Sequence, residues 1–242
     1  MGKVKYLVRG AMSVFLLAGG GVAAPFIESH LGDAGRTLAT AQPVGGDGVL
    51  DTIYGTLDEN APDTGRSVDL FLIGIFDTLG FSAATVDSPG LYVTDPQLFL
   101  FDSVGVGVYM NDDDESGTNA SQSLLPAGHL LGPLSPGFYY LGIGWFDNEP
   151  FSTGGRIFAS SNPTGTNGPD LGAGGADPLI DWDENVTQRV DVETLYEIRL
   201  TGASFVPEPG TALLVAVPLA LTALRRRRRT RTKPSQERVP GM

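Results

Sequence analysis

Apolar and polar residues alternate along much of the chain with the period of a strand. Over 194–205, Tyr196, Ile198 and Leu200 point one way while Glu197, Arg199 and Thr201 point the other, as in a half-buried strand. Over 138–146, Tyr139, Leu141, Ile143 and Trp145 oppose Phe138, Tyr140, Gly142 and Gly144. Residues 49–57, 68–76, 80–86, 97–101 and 106–110 are shorter alternating or compact apolar runs, bounded by Gly, Pro, Asn and Asp turns. No internal stretch carries a helical period. The pattern predicts an all-β body, an antiparallel β-sandwich of jelly-roll-like form. Between 160 and 178, fourteen of nineteen residues are Gly, Pro, Asn, Ser or Thr, which predicts a soft surface loop inserted before the last strand.

Charge sharpens this picture because it is segregated. The whole chain of 242 residues carries −12, yet from 25 to 206 the basic residues are Arg36, Arg66, Arg156, Arg189 and Arg199 against 26 acids, a body charge of −21 without a lysine. Such a body repels phosphate backbones, so nucleic acid is excluded as a partner. The absence of cysteine removes disulfides, thiolate nucleophiles and cysteine metal sites.

The remaining basic residues sit at the two ends. At the amino end, Lys3, Lys5 and Arg9 precede an apolar stretch and the small residues Ala23 and Ala24, the layout of a secretory signal peptide over 1–24 with cleavage near Ala23 or Ala24. It implies use of the Sec export machinery. At the other end, residues 211–224 are fourteen uncharged positions interrupted by Pro218, followed at once by Arg225, Arg226, Arg227, Arg228 and Arg229. Basic residues directly after an apolar segment hold that end on the cytoplasmic side.

Val206-Pro207-Glu208-Pro209-Gly210, the apolar segment and the arginine run together resemble a PEP-CTERM sorting signal over 206–229, with 230–242 as a disordered cytoplasmic tail. The resemblance implies a C-terminal hydrophobic helix that transiently anchors the precursor in the inner membrane of a Gram-negative bacterium. It also implies processing near the motif by an exosortase-type protease, then delivery to the cell surface or an exopolysaccharide matrix. Pro207 and Pro209 fix φ on either side of Glu208, giving a stiff extended segment for that enzyme.

Ser67-Val-Asp-Leu-Phe, Asp95-Pro-Gln-Leu-Phe-Leu-Phe-Asp-Ser-Val-Gly, Asn111-Asp-Asp-Asp and Leu134-Ser-Pro-Gly-Phe-Tyr-Tyr-Leu-Gly-Ile are similar, in order and character, to bacterial pre-peptidase C-terminal domains. That likeness covers roughly 33–146 and implies a jelly-roll-like sandwich for the body at 25–205, of a kind that binds Ca²⁺ in some members. Asp69 and Asp95 fall at positions of that pattern and are expected at turns or strand ends.

Within the acidic turn, Asp112, Asp114 and Ser116 followed by Gly117 match the first half of an oxygen-donor calcium loop, with Asn111 and Asp113 beside them. Ser123 stands where an EF-hand would place a bidentate glutamate, so the site is not an EF-hand. The alternative is a solvated acidic turn. A second alternating stretch, Asp181-Trp-Asp183-Glu-Asn185, lacks the turn glycine, with Val186 in its place.

Catalytic signals are poor. His30 and His129 lack zinc spacing, and no nucleophile elbow occurs. The expectation is an exported, non-enzymatic structural or adhesive protein with calcium as stabiliser. One alternative is a carbohydrate- or surface-binding module using an aromatic strip around Trp145 or Trp182; a second is a secreted hydrolase with paired carboxylates.

Overall fold

A computed structural model of the chain describes residues 22–28, 34–57, 67–87, 93–114, 121–159, 165–183 and 194–208. The segments carrying the signal helix, the C-terminal apolar helix, the arginine run and the tail lie outside the described residues, as do Ser116, Pro209 and His30. Among the described residues, no helix is long and apolar enough to cross a membrane.

Among the described residues, strand is the dominant regular structure, with one four-residue helix. In order it forms β1 (Ala24–Ile27), β2 (Gln42–Pro43), β3 (Val49–Leu57), β4 (Val68–Ile75), β5 (Ser82–Thr85), β6 (Pro96–Phe101), β7 (Gly107–Asn111), β8 (Leu124–Leu125) and β9 (Gly137–Trp145). There follow β10 (Pro150–Ser152), β11 (Gly155–Arg156), β12 (Thr166–Asn167), the four-residue helix α1 (Ala173–Ala176), β13 (Asp181–Trp182) and β14 (Thr194–Ser204). Each run read as a strand from the sequence is one, with ends displaced by no more than two residues.

One eleven-stranded sheet runs β1-β3-β14-β4-β9-β6-β7-β12, with β2 on β4, β5 on β14 and β8 on β5. It is mixed, which corrects the wholly antiparallel expectation. β1 lies parallel to β3 and β2 parallel to β4. Parallel pairing needs a crossover of a dozen or more residues, and the stretches 28–48 and 44–67 supply that length. β14 pairs with β3 along one edge, while its other edge is shared by β5 over 198–201 and β4 over 203–204. The register shifts between Arg199 and Ala203, where Gly202 adopts φ +65, so a side chain there would be strained and would press on the Phe81 amide.

Period-two alternation sorts the side chains into two cores. Leu98, Leu100, Phe71, Ile73, Tyr139, Leu141, Ile143 and Trp145 share the larger core with Tyr196, Ile198 and Leu200 of β14. The intervening residues Val68, Leu70, Phe99, Phe101 and Met110 join a second, aromatic core with Ile157, Phe158, Leu179 and Trp182. β4, β6 and β9 are thus covered on both faces, which is why they read as nearly continuous apolar runs.

The second cover is built by the segment after Phe146. A three-stranded sheet, β11-β10-β13, belongs to it. The stretch expected to be a soft loop is partly ordered structure: β12 pairs with β7, and Gly165, Asn167, Gly174 and Gly175 are buried. Its small residues permit close packing as well as turns. Gly174, for example, lies so near the Arg156 carbonyl that a side chain would not fit.

Candidate metal centre

β6 and β7 form an antiparallel hairpin with Leu98 opposite Asn111. One to three positions further from its turn, the strand ends bring Asp95 beside Asp112 and Asp113. One carboxylate oxygen from each of the three lies within 4.8 Å of the others. Oxygens bonded to a shared calcium ion at about 2.4 Å can be up to about 4.8 Å apart, so a single ion can span this spacing.

β9 ends next to β6, with Pro96 opposite Trp145 and the Phe146 amide donating to the Asp95 carbonyl at 2.9 Å. The chain then turns through Asp147, which takes φ +65 and is the one described non-glycine residue at positive φ; aspartate is among the residues that tolerate this region. This turn delivers Glu149 to the group, where its Oε1 accepts from Gln97 Nε2 at 3.4 Å. Gln97 also lies near enough to Asp112 to oppose part of the upward shift of its carboxyl.

Asp95 and Asp113 are half-buried, whereas the rest of the group is removed from water. Gln97 is 2 % exposed and Asp112 and Glu149 5 % each. Gln97 Oε1 and Asp112 Oδ1 are buried without a hydrogen-bond partner, an arrangement that a buried polar atom normally avoids. Burial, then the charges of Asp113, Asp95 and Glu149, push the Asp112 carboxyl up to about 7. Burial, then Asp113, pushes Asp95 to about 6. Burial also raises Asp113, and it raises Glu149 although Arg156 opposes the shift. The donor set is all oxygen, which fits a hard cation such as Ca²⁺ rather than zinc.

The five loop residues named from the sequence do not act alike. Asp112 and Asp113 enter the group. Asn111 is used structurally: its Nδ2 donates to the Asp113 carbonyl at 2.9 Å and its Oδ1 accepts from the Leu124 amide at 2.7 Å. Asp114 donates its backbone amide to the Gln122 carbonyl at 2.7 Å. Ser116 lies outside the described residues. Asp95 was expected at a strand end and is there, whereas Gln97 and Glu149 carried no local sequence signal; only the pairing registers bring them in. Asp69, by contrast, is fully buried and accepts from Tyr196 Oη at 2.5 Å.

Ser123 supports the loop from beneath. Its Oγ lies 2.6 Å from the Asn111 carbonyl, 2.7 Å from that of Asp112 and 2.9 Å from that of Pro96, and it accepts from the Leu98 amide at 3.1 Å. A hydroxyl can donate to one of those carbonyls at a time, but its removal strips all of them and the amide of a polar neighbour. Ser123→Ala is expected to lower stability by about 1–3 kcal/mol, measured by denaturant unfolding. A loss under about 0.5 kcal/mol would show that this knot does not hold the loop.

Elsewhere, Trp145 and Trp182 are 1 % and 4 % exposed. Neither can form the exposed aromatic strip expected of a sugar-binding face. His129 stacks against Tyr109 at 6.2 Å, and its Nδ1 accepts from the Leu131 amide at 3.2 Å. At the opposite end of the β6/β7/β9 strands lies a cleft of about 530 Å³, lined by Val108, Leu130, Leu134, Phe138, Tyr139 and Asp102 among others. Asp102 is the one carboxylate in its lining, and its Oδ1 closes the β6–β7 turn by accepting from the Val104 and Val106 amides.

No protein-family model matches the chain, and no curated protein is similar to it at a significant level.

Proposed function

We propose that the chain is an exported, non-enzymatic structural or adhesive protein of the bacterial envelope, whose body is a jelly-roll-like β-sandwich stabilised by calcium. The observation that carries the body's role is the meeting of Asp95, Asp112 and Asp113, with Asp112 itself buried and one of its oxygens unpartnered. Asp95, Asp112 and Asp113 would hold the ion, with Glu149 beyond them, accepting from Gln97 Nε2. The sandwich reading is supported by the larger core, which lies between β3, β5 and β14 on one side and β4, β9, β6 and β7 on the other.

For addressing, the reading rests on the sequence of the two ends. Its supports in the body are positional: β1 begins at Ala24, beside the expected leader cleavage, and the last pairing among the described residues is at Val206, just ahead of Pro207 and Glu208. The processing partner would be an exosortase-type protease, with the membrane as a transient anchor and exopolysaccharide as the destination.

Calorimetric titration of the purified full chain with CaCl₂ tests the cation. One saturable site is expected in the native protein and none in Asp112→Asn, with circular dichroism confirming that the variant is folded. A native chain that gives no binding heat, and melts alike with and without chelator, overturns the reading. For sorting, joint Pro207→Ala and Glu208→Ala changes are expected to retain the precursor in the membrane fraction; undiminished release overturns that part.

A second reading, a carbohydrate- or surface-binding module, draws on Phe76 and Phe138. These are exposed rings in an edge-to-face pair at 6.0 Å, and Phe138 also lines the cleft at the opposite end of the β6/β7/β9 strands. It predicts glycan binding that is lost in Phe138→Ala.

A further inference from the structure

The carboxylate group lies on a seam. On one side are Asp95, Gln97, Asp112 and Asp113, carried by β6 and β7 of the large sheet. On the other are Glu149 and Asp183, which bracket the small sheet. Those two are tied to each other: the Glu149 amide donates to Asp183 Oδ1 at 2.9 Å, and the Asp183 amide donates to the Glu149 carbonyl at 3.0 Å. The pairing closes the small sheet at the end facing the metal centre.

The small sheet has little internal strength. Its strands are three, two and two residues long, below the size at which a sheet is stable by itself. Its position depends on its attachments. One is apolar, Ile157, Phe158, Leu179 and Trp182 against Phe99 and Phe101. The other is the acidic seam, where Gln97 Nε2 reaches across to Glu149 Oε1 at 3.4 Å and Gln97 Oε1 has no partner. Without a cation, Asp112 and Glu149 repel one another across this seam, and the Arg156–Asp183 pair at 3.2 Å offsets only part of that charge. A divalent ion held by Asp95, Asp112 and Asp113 reverses the sign of that interaction, so that the ion attracts Glu149 across the seam.

We infer that the cation is a latch that holds the small sheet, residues 149–183, against the aromatic face of the large one, so that calcium sets how tightly Phe99, Phe101 and Trp182 are covered. The inference rests on the calcium reading above. It goes beyond it in assigning the ion a local task rather than general stabilisation. The larger core is the internal reference, because β3 and β14 pair over 49–57 and 194–204 without using any residue of the seam.

Hydrogen exchange on the full chain, purified in detergent and compared in CaCl₂ and in EGTA at one pH, tests it. The amides of Ile157, Ile180 and Asp183, which donate to Pro150, Phe151 and Glu149, are expected to exchange about tenfold faster or more in EGTA. Those of Ile53 and Ile198 should change by less than about twofold, the pattern of a sub-global opening. An equal acceleration in both regions overturns the latch, since the ion then stabilises the body as a whole. Unchanged exchange over 149–183 in a sample that binds calcium by calorimetry also overturns it, while leaving the cation site standing. Absence of binding heat in that sample removes the cation reading itself, a separate outcome.

Discussion

Trp182→Ala is expected to destabilise the body by about 3–5 kcal/mol, the range for emptying a large aromatic site in a packed core. The indole meets Phe99 edge-on at 5.1 Å and Phe101 at 6.2 Å, so its loss opens a cavity between the two sheets. Its Nε1 also donates to the Arg36 carbonyl at 2.7 Å, an acceptor that alanine leaves unserved. Trp145→Ala should cause a loss of similar size, because Trp145 fills the larger core instead. The two differ in a second respect. Asp183 follows Trp182 directly and is bonded to Glu149, so Trp182→Ala is expected to weaken calcium binding several-fold while Trp145→Ala, if still folded, leaves it near the native value. Urea unfolding and calcium titration on both variants check this. A loss below about 1 kcal/mol in Trp182→Ala would mean that the indole is not packed as described, and the sugar-platform role would then reopen.

These tryptophans show where sequence reading succeeds and where it stops. Trp145 was placed on the face shared with Tyr139, Leu141 and Ile143, and it lies there, because alternation along one strand is a local property of the backbone. Trp182 sits in a stretch whose alternation is of acidic rather than apolar residues, and its burial comes from a sheet whose strands are too short to leave an apolar pattern. The parallel strands β1 and β2 escaped notice for the same reason: four and two residues carry no period, and their partners lie far along the chain. The candidate metal centre was half legible. Asp112 and Asp113 stood out as a run of like charge, whereas Asp95 and Glu149 join them through two strand registers. Asn111, beside Asp112 in sequence, spends its side-chain amide on the Asp113 carbonyl and the Leu124 amide. Alternation around the β6–β7 turn could have paired Asp95 with the acidic run, as Leu98 opposite Asn111 places the strand ends together. Glu149 would have required knowing that β9 lies beside β6.

The pH dependence of stability should reverse its slope with calcium. In the metal-free protein, Asp112 titrates near 7 rather than at the ordinary 3.8, and Asp95 near 6. Both folded values lie above the unfolded ones, so the folded state holds these protons more tightly. Stability from this source is therefore fully present below about 4 and is lost as pH rises through 6 to 7. Asp113 and Glu149 are raised as well and act in the same direction. In EGTA, the melting midpoint is expected to fall by about 5 °C between pH 5 and pH 8, after allowance for solvent screening. Calcium requires the carboxylates without their protons, so its stabilisation grows over the same interval. At about a thousandfold excess over its dissociation constant, the ion contributes on the order of 4 kcal/mol, more than the deprotonation removes. The midpoint in saturating CaCl₂ should then rise, or at least stop falling, from pH 5 to 8. Asp112→Asn should flatten the EGTA curve and abolish the difference between the two conditions. Parallel curves with and without calcium in the native chain would show that these carboxylates do not share an ion. A metal-free curve that rises toward pH 8 would show that they are not held protonated by burial.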